Sequence, residues 1–182
     1  MEHYDESTRI RFSGKGDRSS RRRALAAAAA AVALAGAGVG VLEQPGVAQP
    51  SDRTTATAER VVELVNAERA KVGCAAVTVD SQAQAAAQAH ADDMAARNYY
   101  DHNSPEGADA GDRLNAAGYT WQKWAENIHK GPSAPEQAMR DWMNSDGHRA
   151  NILDCGLHDL GVGVNSSANG PWWVQVFATK RG

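Results

Sequence analysis

The chain lacks most of the short signatures that announce a reaction. Its 182 residues hold no G-x-S-x-G elbow, no Walker loop and no dinucleotide fingerprint, so the motif-bearing serine hydrolases, P-loop NTPases and dinucleotide enzymes are set aside. No short-range zinc spacing of histidine and cysteine is present either. Beyond residue 48 there is no run of basic side chains, so a nucleic-acid partner is not expected. Cysteine is scarce, with only Cys74 and Cys155. In an exported chain such an isolated pair reads as a disulfide, with a nucleophilic cysteine as the alternative. Closing a loop of about 80 residues would stabilise by roughly 4 kcal/mol in the chain-entropy model, before native strain is subtracted.

Export is suggested by what is present at the N-terminus. Residues 1–23 are polar and end in Arg21-Arg22-Arg23, and from Ala24 to Leu42 there is only Ala, Gly, Val and Leu. Gly46-Val47-Ala48 then offers the small side chains that suit signal peptidase. The expectation is a three-part secretory signal over 1–48, cleaved after Ala48. The alternative is an anchor retained in the cell membrane, because 19 uncharged residues nearly span a bilayer. Alanine and glycine give little apolar transfer energy, which favours cleavage and only transient membrane contact. The arginine run before Ala24-Leu25 resembles a twin-arginine signal, with Ala24 where Phe is preferred. Residues 1–48 hold seven of the 19 Lys+Arg and five of the 22 Asp+Glu, so the remainder has 12 basic and 17 acidic residues, a net of −5.

Polar residues 49–56 read as a linker, and 57–182 as one domain, expected to be monomeric, with enough chain for a real core. The i, i+3, i+4 pattern of Val61, Leu64 and Val65 predicts a helix from Thr57 to Val72, stopped by Gly73. Ser81 and Gln84 fit a capping box for an alanine-rich helix to about Asn98. Residues 99–111 read as a loop, 112–117 as a brief helix and 119–129 as leading into a strand. Ser133 and Glu136 fit a second capping box, which explains Glu136 as structural, for a helix running to about Asn144. Trp142 to Leu153 reads as a polar, glycine-broken loop between apolar flanks. Leu160, Val162 and Val164 alternate with Gly161 and Gly163, a strand with one bare face that a helix can approach closely. In the strand from Pro171 to Ala178, Trp172, Val174 and Val176 share one face and Trp173, Gln175 and Phe177 the other, so both faces should be covered. The economical architecture is a three-layer α-β-α sandwich around a small, mainly antiparallel sheet.

Three polar residues stand in conspicuous settings: His102 in its loop, Glu126 within Ala125-Glu126-Asn127-Ile128, and His148. Two imidazoles and a carboxylate suit a divalent metal or acid/base work. Each also has a plainer reading: His102 hydrogen-bonded beside Asp101, Glu126 satisfying buried donors, His148 tying its loop to the preceding helix. His90, on the alanine-rich helix, reads as structural.

Taken together, Asp101 to Gly107, Asp112-Arg113-Leu114, Ala125 to Ile128, Trp142 to Ser145, Gly147 to Leu153 and Gly161 to Val164 resemble the bacterial branch of the CAP superfamily. That group unites cysteine-rich secretory proteins, antigen 5 and plant pathogenesis-related proteins, and its domain is also called SCP-like. The resemblance covers roughly residues 58–179. It implies an α-β-α sandwich with a central cleft that carries two His and two Glu in animal and plant members. His102, Glu126 and His148 match three of the four by motif, while Ser145 stands where the second Glu falls and Ala125 where Gly is usual. The resemblance thus implies a ligand cleft of His102, Glu126, His148 and Ser145. A zinc-like metal on His102 and His148 would be bound weakly and completed by water. Family activities span lipid binding, proteolysis and antimicrobial action. The leading expectation is a secreted, disulfide-stapled binding module for a lipid-like, cell-wall or protein ligand. The alternative is a hydrolase using His102, Glu126 and His148, with or without a metal.

Overall fold

A computed structural model describes residues 8–12 and 50–182, with side chains from residue 53 onward. The expected signal over 1–48 therefore lies outside the described residues, apart from one short strand. Among the described residues no helix is long and apolar enough to cross a membrane.

The chain runs β1 (Thr8–Phe12), α1 (Pro50–Lys71), β2 (Thr78–Val79), α2 (Ser81–Arg97), α3 (Ala110–Ala116), β3 (Trp121–Lys130), α4 (Pro135–Asn144), α5 (Asp146–Ile152), β4 (Asp159–Asn165) and β5 (Trp172–Lys180). The strands form one sheet in the order β1-β3-β5-β4-β2, antiparallel except for the two-residue β2–β4 pairing. One face is covered by α1, α4 and α5, where Val61, Val65, Trp142, Ile152, Trp173 and Phe177 share a core. The other is covered by α2 and α3, where Ala83, Ala87, Met94, Leu114, Trp124, Trp172 and Val174 share a second core. Alternation along β5 thus divides its side chains between two dry layers, as the sequence pattern requires. The architecture is the expected α-β-α sandwich.

Several local expectations are corrected. The presumed linker is helical from Pro50 on, because proline at a helix start forfeits an N–H that has no partner there anyway. The cap of α2 is Asp80, not Ser81: its carboxylate accepts from the N–H groups of Gln82 (2.9 Å) and Ala83 (3.1 Å). Gln84 is occupied elsewhere. Helix α3 starts two residues early, under a capping box between Asp109 and Asp112. Helix α4 has Ala134 at its cap with no side-chain cap bond, so the Ser133/Glu136 box does not form. Glu136 instead accepts from Arg60 Nε of α1 at 2.9 Å, an exposed interhelical ion pair. The run after Trp142, read as a loop, is mostly the short helix α5.

The glycine reading of β4 holds in detail. A Cβ on Gly161 would lie 2.2 Å from the Ala83 carbonyl, and one on Gly163 would lie 2.2 Å from the Ala87 oxygen. Helix α2 rests directly on that bare stripe. Its Gln84 and Gln88, one turn apart, each use a side-chain amide as a substitute strand residue. Gln84 donates to Val162 O (2.6 Å) and accepts from Val162 N (3.0 Å); Gln88 does the same at Val164 (3.0 and 3.1 Å). They satisfy β4 where the two-residue β2 has ended. The disulfide Cys74–Cys155 forms, fastening the end of α1 to the segment after α5.

Gly163→Ala should therefore cost about 3 kcal/mol or more, since backbone rather than a movable side chain blocks the new methyl; urea unfolding would measure it. Glu136→Ala should change stability little, as expected of an exposed pair, and a loss in the same assay that persists when Arg60 is also replaced by Ala would restore the capping role.

Candidate functional site

The site is built on β3, whose even-numbered residues face α2 and α3. Trp124 and Ile128 are buried there as apolar neighbours, and between them Glu126 is fully buried. A charge so placed must be paired. Arg113 of α3 donates Nη2–H to Glu126 Oε2 at 2.7 Å, and His102 donates Nδ1–H to Oε1 at 2.7 Å. Arg113 also donates to Ala108 O (2.9 Å) and His102 O (3.0 Å), so one guanidinium fixes both the carboxylate and its loop.

That loop starts at Asn98, the left-handed C-cap of α2 (φ 52°). Tyr100 donates its hydroxyl to Ile128 O at 3.1 Å, pinning the loop to β3. Below it His90 donates Nε2–H to Asp101 O at 3.0 Å, and the same nitrogen lies 4.0 Å from Glu126 Oε1. Because a carboxylate only accepts, His102 carries its proton on Nδ1. His102 Nε2 is then turned into a buried position with no hydrogen-bond partner among the described residues.

His148 sits on α5, also buried. It is held through its backbone: Asn127 Nδ2 donates to His148 O (3.2 Å) and to Gln175 Oε1 (2.9 Å), and Asn151 Nδ2 reaches Asn127 Oδ1 (2.8 Å) and Glu126 O (3.2 Å). Odd-numbered Asn127 lies on the other side of β3 from the Glu126 carboxylate. The structure joins His102 to Glu126 directly, and no hydrogen bond among the described residues joins His148 to either. Ser145 is half-buried between α4 and α5, with its N–H on Trp142 O at 3.2 Å. Arg113 and His90 were not read from the sequence as partners of Glu126. The arginine in Asp112-Arg113-Leu114 was the available signal, since a buried carboxylate needs a cation.

As a metal centre the set is poor. No three His, Cys, Asp or Glu among the described residues are gathered to hold an ion. Both Glu126 oxygens are engaged by His102 and Arg113, so the carboxylate is not open to a zinc-like ion.

Burial alone would raise the Glu126 carboxyl, but Arg113 and the His102 hydrogen bond outweigh it and hold it down at about 2. Burial pushes His90 down to about 4, and this prevails over the attraction of Glu126. Between pH 6.5 and about 4 the unfolded chain therefore takes up a proton at this histidine that the folded chain refuses. Stability falls as pH drops through that window, by at most about 1.4 kcal/mol per unit. Glu126 acts lower: its stabilisation is present above 4.5 and is lost as pH falls towards 2. Urea unfolding at about pH 7.5 and 5 should show wild type losing roughly 1–2 kcal/mol, and His90→Gln losing clearly less between the same two pH values. An equal loss in both proteins would show that His90 does not set the upper limb.

This geometry defines a class: an α-β-α sandwich with a buried carboxylate–histidine pair on its outermost long strand. Residues 62–177 match the model of the cysteine-rich secretory protein family, CAP, and the chain belongs to that family. It is 38% identical over 143 residues to the uncharacterized protein YkwD of Bacillus subtilis, covering 75% of this chain and 55% of that one. The membrane protein YlbC of the same organism, also uncharacterized, is 32% identical over 61% of this chain and 32% of its own length. The chain thus spans about half or less of the curated relatives it matches. Among solved structures, an extracellular SCP-domain protein from Bacillus anthracis aligns with TM-score 0.68 at 30% identity, over 74% of this chain and 45% of that one. A cysteine-rich secretory protein from Staphylococcus aureus aligns with TM-score 0.61 at 19% identity, over 72% and 40%, and supports the fold.

Proposed function

We propose that this CAP domain is a secreted binding module of the cell envelope or extracellular medium, acting without catalysis on a lipid-like, wall or protein ligand. The observation that carries the reading is the state of its polar trio. His102, Glu126 and His148 are all buried, and Glu126 is locked by Arg113 at an acidity that keeps it ionised through the working pH range. A carboxylate held that way orients its histidine and stiffens β3, but exchanges no proton with a substrate. The extracellular description of the Bacillus anthracis relative and the presumed signal support export.

One observation favours the second reading, a hydrolase. His102, with Nδ1–H on a carboxylate and Nε2 left without a partner, has the form of an oriented general base.

The two readings separate on purified protein incubated with casein, a lipid ester and isolated cell envelope. The binding reading expects saturable co-sedimentation with envelope and no turnover above a heat-denatured control. Turnover of either substrate that disappears in His102→Gln, with the fold intact by circular dichroism, would establish the hydrolase instead.

A further inference from the structure

We propose that the outer edge of β3 is a strand-acceptor site, and that its ligand is an extended, basic polypeptide segment paired antiparallel along Lys123–Asn127. The proposal rests on the binding reading and names the ligand class that it leaves open.

In the sheet order β1-β3-β5-β4-β2, β3 would be an edge strand without β1. The chain itself fills that edge with a segment from far upstream. Thr8 pairs with Asn127, Arg9 with Glu126, Ile10 with Ala125, Arg11 with Trp124 and Phe12 with Lys123. The strand β1 also touches α5, so the seat lies between β3 and the helix that carries His148. At this stretch the side chains of Trp124, Ala125, Glu126 and Asn127 are all buried to either side. What β3 offers outward is its main chain: a row of N–H and C=O groups held rigid by the Glu126 pairs and the Asn127–Asn151 bonds. Such a row recognises another extended main chain. It is poorly suited to a lipid tail or a sugar, neither of which presents alternating amide donors and acceptors at strand spacing.

Charge narrows the class. The occupant Thr-Arg-Ile-Arg-Phe carries two arginines and no acid, whereas the chain from residue 49 onward has 12 basic and 17 acidic residues. Its Ile10 stands between the two arginines and Phe12 follows the second, so apolar and basic residues alternate along it. If residues 1–48 are removed on export, the same seat is opened to a segment of that kind from another protein.

Amide exchange on the isotopically labelled full chain tests this. In wild type the alternate Lys123–Asn127 amides that face β1 should be protected. The double variant Ile10→Pro/Arg11→Pro, which removes a ladder N–H whichever set faces β3, should exchange them at least about tenfold faster while the amides shared by β3 and β5 stay slow. Adding a peptide of residues 6–14 in excess to the double variant should restore protection. Two N-methylated versions, one modified at Arg9 and Arg11 and one at Thr8, Ile10 and Phe12, should differ, because only one set of N–H groups faces β3. Glutamate at both arginine positions should weaken the peptide at low salt. Unchanged exchange in the double proline variant, no restoration by the peptide, or equal restoration by both methylated forms would overturn the strand-acceptor site. Equal affinity of the glutamate peptide would overturn the basic preference. Envelope co-sedimentation of the same variant keeps the tests apart: binding that persists while the peptide fails leaves the binding module standing and removes only this ligand class.

Discussion

The structure depends on pairing one carboxylate that no water reaches. An ionised Glu126 without partners would cost several kcal/mol, and neither core layer could pack around it as it does. Arg113 supplies the counter-charge and His102 the second donor. Because Arg113 also holds the carbonyls of Ala108 and His102, the shape of the 98–109 loop is a consequence of neutralising Glu126. His90 lies beneath the same loop, kept neutral by burial and tied to Asp101. The network is asymmetric in energy. Removing the whole of it for apolar side chains could be tolerated, whereas removing Arg113 alone strands a buried charge.

A second buried cation does the corresponding work at the far side of the sandwich. Arg69 of α1 is fully buried, and its guanidinium donates to Ala75 O, Ile152 O, Asp154 O and Leu157 O, each at 2.9 Å. It gathers the orphaned carbonyls that end α5 and the turn after it, next to the Cys74–Cys155 bridge. Helix α5 is therefore fastened at its C-terminal end by Arg69 and along its length by Asn127 and Asn151. Both walls beside the outer edge of β3, the loop with His102 and the helix with His148, are set by buried polar staples rather than by hydrophobic contact alone.

What could be read from the sequence and what could not divide along the same line. The double-faced pattern of Trp172 to Phe177, the glycine stripe of β4 and the cysteine pair are properties of period and composition, and each appears as read. Arg69 gives no sign of burial in the sequence, because a helical wheel treats arginine as solvated. Only the carbonyls converging on it from some 80 residues away make burial favourable. Gln84 looked like a capping residue because its spacing from Ser81 fits one, yet it mends the edge of β4, a need created by tertiary structure. Helix α5 was hidden by Gly147, whose intrinsic preference is overridden by the packing of Ile152 and the hydrogen bonds of Asn151. His102, Glu126 and His148 were legible as a set from the family motif, whereas the contact between the first two, and the separate support of the third, required coordinates.

The same physics bears on why such a site would bind. Catalysis by a histidine and a carboxylate needs at least one group whose protonation changes near the working pH, with a reacting atom in reach. Arg113 removes Glu126 from that role by holding its acidity near 2. What Glu126 retains is orientation: it fixes the His102 tautomer, and the pair with Arg113 fixes the loop on β3. Rigid supports of this kind lower the ordering cost of binding. They are of most use where the ligand is itself flexible, because an unstructured segment already loses conformational entropy when it docks. A stiff strand edge between two stapled walls can hold such a segment through its main chain, with sequence preference left to charge. On the proposed reading, Glu126 with His102 and Arg113 serves as the framework that keeps that edge straight, in line with the plainer reading that the sequence allowed for these residues.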